Sequence, residues 1–143
     1  MMIKLTKLTV QTRRSQELVD VTDEVERVVA ESGVGEGLVY VMTSHTSSGV
    51  LVTEGLECLE RDVVAHLERL APDQGDYWHN RYLDIDGRLG FNAGAHLKGV
   101  ISGYFAYFPI SGGKIVKGGR QRVYFAEYDG PLSREYYVQV IGE

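Results

Sequence analysis

The chain has 143 residues, enough for one domain with a core of its own and no covalent staple. Apolar residues make up 43% and charged residues 24%, which excludes a disordered tail, a collagen or a coiled coil. The net charge of -5 excludes a broadly basic nucleic-acid footprint, and a single cysteine, Cys58, excludes an intramolecular disulfide and a cysteine-only zinc site. No apolar run approaches the ~18–20 residues that span a bilayer. The segment Met1-Met2-Ile3-Lys4-Leu5-Thr6 alternates and does not read as a signal peptide, so the expected location is the cytoplasm. Seventeen glycines and nine tyrosines against three prolines suggest strands joined by tight turns.

In chain order, residues 3–12 read as a first strand, followed by a charged connection from Arg13 to Glu17. Thr22 is the expected N-cap of a helix whose Val21, Val25, Val28 and Val29 share one face, with Ser32-Gly33 as its end. The run Gly37 to Thr43 predicts a buried strand, and Val50 to Thr53 its neighbour across the polar turn Ser44 to Gly49. A second helix is expected from about Leu56 to Ala71, with Leu56, Leu59, Val63, Leu67 and Leu70 at helical period and Pro72 as its stop. Residues 72–93 have no clean period and read as a functional loop of about 20 residues. A short turn or helical start at residues 93–98 comes next. Strands then follow at residues 100–108, 114–117, 121–128 and 135–141, with Gly112-Gly113 as a turn. The fold class expected is α+β, one domain over residues 1–143, mostly antiparallel sheet with two main helices.

Three histidines fall at element boundaries: His45 between two strands, His79 in the long loop, His96 in the turn after it. Three imidazoles can hold a zinc-like ion and leave a fourth position open. The spacings of 34 and 17 residues match no short zinc motif, so three separate loop histidines remain the plain alternative. His66 lies within the second helix and reads as packing or solvated. Glu54, at a strand end, can serve as base, ligand or orienter of an imidazole, or as a first-turn acid of the second helix. Asp62 is most simply a solvated helix charge. The turn from His45 to Gly49 offers hydroxyls from Thr46, Ser47 and Ser48, which can hold a phosphate, with Lys98 or Arg122 as positive charge. Such turns also arise for conformational reasons alone, and no glycine-flanked elbow marks Ser47 as a nucleophile. Gly118-Gly119-Arg120-Gln121 is a weak anion-binding candidate and reads more simply as a hairpin turn. Tyr77, Trp78 and Tyr82 can stack a heteroaromatic ring or fill a subunit interface. Cys58 reads as a small buried or half-buried residue.

Taken in order, these pieces resemble one family. They are His45-Thr46-Ser47 with Glu54 nine residues on, Arg61-Asp62, Tyr77-Trp78-His79-Asn80, Ala95-His96-Leu97-Lys98, Gln121, and the ending Val138-Gln139-Val140-Ile141-Gly142-Glu143. The chain is similar to the YjbQ-like family, also called the secondary thiamine-phosphate synthase family, from its first strand to its last residue. The resemblance implies a compact α+β domain that assembles as a homotrimer, with a pocket near the histidines that holds a metal or an anion. It implies an enzyme acting on phosphorylated small molecules. The type reaction couples a pyrimidine pyrophosphate to a thiazole phosphate, as an activity that is regarded as secondary.

Carried over by motif, His45, Glu54 and Asp62 are the expected catalytic residues. Thr46, Ser47, Lys98 and Gln121 are expected to bind substrate, and His45, His79 and His96 to bind metal. Two departures stand out: Gly119-Arg120 replaces the family's Thr-Trp before Gln121, and Thr53 replaces the Asn before Glu54. They alter the wall of the pocket more than the fold. Histidine ligands favour a zinc-like ion, whereas a pyrophosphate substrate calls for magnesium. The competing expectation is a non-catalytic trimer that binds a metal or a metabolite. Nucleic acid and membrane are not expected as partners.

Overall fold

Alternation along the longest strands dictates the architecture. Residues of the C-terminal strand at positions 136, 138 and 140 are buried, and their neighbours at 135, 137 and 139 face outward. The computed structural model describes residues 1–81 and 91–143. Tyr82 and the remainder of the expected loop between them lie outside the described residues. In chain order the elements are β1 (Met2–Gln11), β2 (Glu17–Asp20), α1 (Thr22–Ser32), β3 (Gly37–Thr43), β4 (Ser48–Glu54) and α2 (Glu57–Leu70). There follow α3 (Trp78–Arg81), α4 (Ala93–Ser102), β5 (Phe105–Ser111), β6 (Lys114–Ile115), β7 (Gln121–Glu127) and β8 (Ser133–Gly142). This is the α+β domain expected, and every described strand pair is antiparallel.

The strands form two sheets, one in the order β1-β8-β3-β5-β6 and the other β2-β7-β4. Val39, Val41, Phe108, Ile110, Val138 and Val140 of the first sheet meet Val50, Val123 and Phe125 of the second, and Val25, Val28 and Val29 of α1 close the same core. The alternate residues of β7 face the other way. Ala126, followed by Tyr128 just past the strand end, packs with Leu67 of α2 and Ala95 of α4 in a second, smaller core. The three-stranded sheet is thus covered on both faces, which is why Gln121 to Tyr128 carries apolar residues at consecutive positions.

Several expectations change in the folded chain. β3 and β4 are not sheet neighbours: β3 pairs with β5 and β8, and β4 pairs with β7. The turn between them carries the chain from one sheet to the other. The connection after β1 contains strand β2, whose short length hides its period. Thr22 is the first residue of α1 rather than its cap, because its hydroxyl accepts the Val123 N–H at 2.8 Å. Asp20 Oδ1 instead accepts the Thr22 N–H at 2.9 Å. Residues 100–102 continue helix α4 rather than opening a strand, and Gly103, at a positive φ of 88°, ends it. Glycine lets that helix lie directly on β4: a Cβ at Gly99 would stand 2.8 Å from the Ser48 carbonyl oxygen. Cys58 is exposed, one position off the stripe that α2 turns inward. Of that stripe only Leu67 is fully buried, while Leu56 and Leu70 are exposed.

Candidate functional site

Two of the three boundary histidines meet. His79, on the single turn of α3, and His96, in the first turns of α4, pack edge to face with ring centroids 5.2 Å apart. His96 Nδ1 lies 3.1 Å from the Thr46 carbonyl oxygen, and His79 Nε2 lies 3.0 Å from Asn92 Oδ1. The corner is therefore built from the turn after β3, the turn of α3 and the start of α4. Thr46 is exposed beside it, and Ser47 is buried beneath.

His45 takes a different position. Its Nε2 accepts the backbone N–H of Glu135 at 3.2 Å, where β8 runs past the end of β3. Its backbone N–H donates to Thr43 Oγ1, and Ser48 Oγ bonds both Thr43 Oγ1 and the His45 carbonyl. These bonds pin the whole turn. Among the described residues, no group of three or more His, Cys, Asp or Glu side chains is placed to hold a metal ion. The expected three-imidazole set is not gathered among the described residues of one chain, and His45 Nε2 is engaged with β8 instead.

The remaining expected site residues lie elsewhere. Glu54 and Gln121 pair at one end of the β4–β7 ladder, and Ser48 and Glu127 at the other. Six strand steps separate Glu54 from the His45 turn, roughly 20 Å. There Arg120 reaches Glu54 at 3.3 Å, and Gln121 Oε1 accepts the Gly118 N–H at 2.7 Å. Asp62 and His66 are exposed on α2. Lys98, two residues from His96, projects from the opposite side of α4. It is fully buried, with Nζ 2.7 Å from Asp73 and 2.9 Å from Glu68, so its charge is already matched. Burial pushes the Glu68 carboxyl up, yet the Asp73 N–H and the Lys98 ammonium together hold it below its usual range. Arg122 is committed to Asp20 at 2.7 Å and Asp23 at 3.3 Å. Trp78 lies under the Arg81 guanidinium, 5.1 Å from the ring centroid, and Tyr77 donates its hydroxyl to the Pro72 carbonyl. A groove of about 890 Å³ between the β1–β2 connection and α2 is lined by Arg13, Arg14, Arg61 and several glutamates, with no imidazole in its walls.

Four residues beneath the corner escape a sequence reading. Glu127 and Arg134 form a fully buried ion pair, with Arg134 Nε 2.8 Å from Glu127 Oε2. Thr12 donates its hydroxyl to Glu127 Oε2 at 2.8 Å, and Asp129 donates its N–H to Oε1 at 2.9 Å. Arg134 also donates to Ser47 Oγ at 3.0 Å. Asp129 Oδ2 accepts from Asn92 Nδ2 at 3.1 Å, which returns to His79. Arg134 in phase with the inward Tyr136, Val138 and Val140, and Glu127 at the end of the apolar run Val123 to Ala126, are signals of two buried charges, though not of their pairing.

Comparisons with known proteins match this chain along nearly its full length. The family model described as UPF0047 protein YjbQ-like matches residues 6–143. A UPF0047 protein of Archaeoglobus fulgidus is 36% identical, covering 94% of this chain and 99% of its own. The UPF0047 protein YugU of Bacillus subtilis is 27% identical, covering 96% and 99%. Among solved structures, a YbjQ-like protein of unknown function from Sulfolobus solfataricus superposes with a TM-score of 0.92 at 31% identity, covering 99% of each chain. A hypothetical protein from Aeropyrum pernix superposes with a TM-score of 0.89 at 34% identity, covering 98% and 99%. The family model over residues 6–143 and the full-length relative at 36% identity show that the chain belongs to the UPF0047, YjbQ-like family.

Proposed function

We propose that the protein binds a phosphorylated small molecule at the His79–His96 corner and acts on it by proton transfer and charge stabilisation. The observation that carries this reading is the edge-to-face imidazole pair beside the exposed Thr46. Imidazole can donate to phosphate oxygens or accept a proton near neutral pH, which is what a departing pyrophosphate or a phosphate ester requires. The coupling of a pyrimidine pyrophosphate to a thiazole phosphate, with magnesium supplied by the substrate, is the reaction to assay first. Glu54 and Gln121 join such a site only if a neighbouring subunit brings its far ladder end across. Expected is product formation in the wild-type chain, reduced about 100-fold or more in His96→Ala. Stoichiometric capture of inorganic pyrophosphate without product supports the non-catalytic binding alternative instead.

Assembly as a homotrimer in the cytoplasm is part of the same reading. The outward face of the larger sheet supports self-association: Ile3, Leu5, Phe105 and Tyr107 are more than half exposed, around a shallow cavity of about 410 Å³. An apolar face of this kind is typical of a protein contact. The metal-bound reading draws on a specific feature too. The contact of His96 Nδ1 with a carbonyl is the orienting bond that metal-binding imidazoles commonly make. Elemental analysis of the purified chain beside His96→Ala tests it, with about one zinc-like ion per chain lost in the variant as the supporting result.

A further inference from the structure

Obligate partners settle which nitrogen of each imidazole carries the proton. The Thr46 carbonyl oxygen can only accept, so His96 Nδ1 donates to it and the lone pair falls on Nε2. The Glu135 N–H can only donate, so His45 Nε2 accepts and the proton of that ring sits on Nδ1. His79 is set at one remove. The Asn92 side chain has a donor end and an acceptor end. The Asp129 carboxylate oxygen 3.1 Å away only accepts, so Asn92 must turn Nδ2 toward it. That leaves Asn92 Oδ1 facing His79, and His79 Nε2 must donate to it.

We infer that Asp129 and Asn92 are positioning residues that hold His79 in its Nε2–H form, opposite to the Nδ1–H form that Thr46 imposes on His96. The corner thereby pairs two rings of unlike tautomer.

Both rings trace back to one anchor. Glu127 accepts the Asp129 N–H, and its partner Arg134 holds Ser47, the residue after Thr46. The buried ion pair fixes the distance between the two sources of orientation, the Asp129 carboxylate and the Thr46 carbonyl. The consequence for chemistry rests on the reading of this corner as the reacting site. The tautomers themselves do not.

Long-range proton–nitrogen correlation spectra of the isotope-labelled full chain at neutral pH test the assignment directly, with the rings identified through His79→Gln and His96→Gln. Expected is Nε2–H for His79 and Nδ1–H for His96. In Asp129→Asn the residue can present either end of an amide, and in Asp129→Ala it presents nothing. In both variants the Nε2–H signal of His79 is expected to weaken while His96 keeps its own tautomer. Inorganic pyrophosphate is expected to bind about 10-fold more weakly to both variants. An Nδ1–H signal for His79 in the wild type, or an undiminished Nε2–H signal in Asp129→Asn, overturns the inference. The wild-type spectrum decides even where a variant fails to fold. If the wild-type chain binds no pyrophosphate, the proposed function falls and the spectra still decide the relay.

Discussion

Glu127 has no solvent exposure, yet its carboxyl sits below the ordinary value of 4.5. Burial pushes it up; the Arg134 guanidinium, the Asp129 N–H and the Thr12 hydroxyl together outweigh that push. A carboxyl held lower in the folded chain than in the unfolded one contributes stability that is complete above about pH 4.5 and is lost as pH falls through the folded value. Glu127→Gln keeps the shape and leaves Arg134 buried without its counter-charge. Chemical denaturation is expected to show a loss of about 3–5 kcal/mol at neutral pH, together with a flatter dependence of stability on pH on the acid side. Unchanged stability would mean that water reaches the pair. Lys98 gives a contrast: it looked like a substrate contact beside His96, but two positions along a helix turn a side chain to the other face, where Asp73 and Glu68 receive it.

The contact of β4 with α4 supports the corner from below. Val50 donates its N–H to the Gly103 carbonyl at 3.1 Å, so strand and helix end are joined by backbone. A Cβ at Gly49 would stand 2.4 Å from Ser102 Oγ and 2.8 Å from the Gly103 carbonyl oxygen. The serine can rotate, but the carbonyl can only move with the helix end. Gly49→Ala is therefore expected to cost about 1–3 kcal/mol by thermal denaturation and to weaken pyrophosphate binding, since α4 also carries His96. A variant as stable as the wild type, with undiminished binding, would show that α4 is free to shift. The same contact explains why residues 100–102 escaped a sequence reading. Val100 and Ile101 are β-branched and sit before a strand, yet Gly99 lets the helix continue across β4, and packing overrides propensity.

The larger sheet raises a question of association. One face of it closes the main core, and the other presents Leu5, Met42, Phe105 and Tyr107 outward. Light scattering of the intact chain is expected to give three times the monomer mass, and Phe105→Glu, at a position 63% exposed in the single chain, is expected to reduce it. A monomer in the wild type, or a trimer untouched by Phe105→Glu, removes this face from the assembly. No helix among the described residues is long and apolar enough to cross a membrane.

The α+β class, the position of most elements and the helix stop at Gly33 were legible in the chain itself, because period, turn chemistry and a left-handed glycine are local properties. The order of motifs from His45 to Gly142 was legible in the same way and led to the family. Strand partners were not: β3 and β4 are joined by a short turn but belong to different sheets, since each strand pairs with segments far along the chain. The company of each histidine was also hidden. His79 and His96 meet, His45 docks on β8, and Glu54 stands at the far end of β4. Sequence spacing sets the face a side chain takes within its own helix or strand, but not which other elements are brought against that face. The buried pair of Glu127 and Arg134 becomes visible only once β7 and β8 are folded together, because a charge is tolerable in a core only beside the partner that the tertiary structure brings to it.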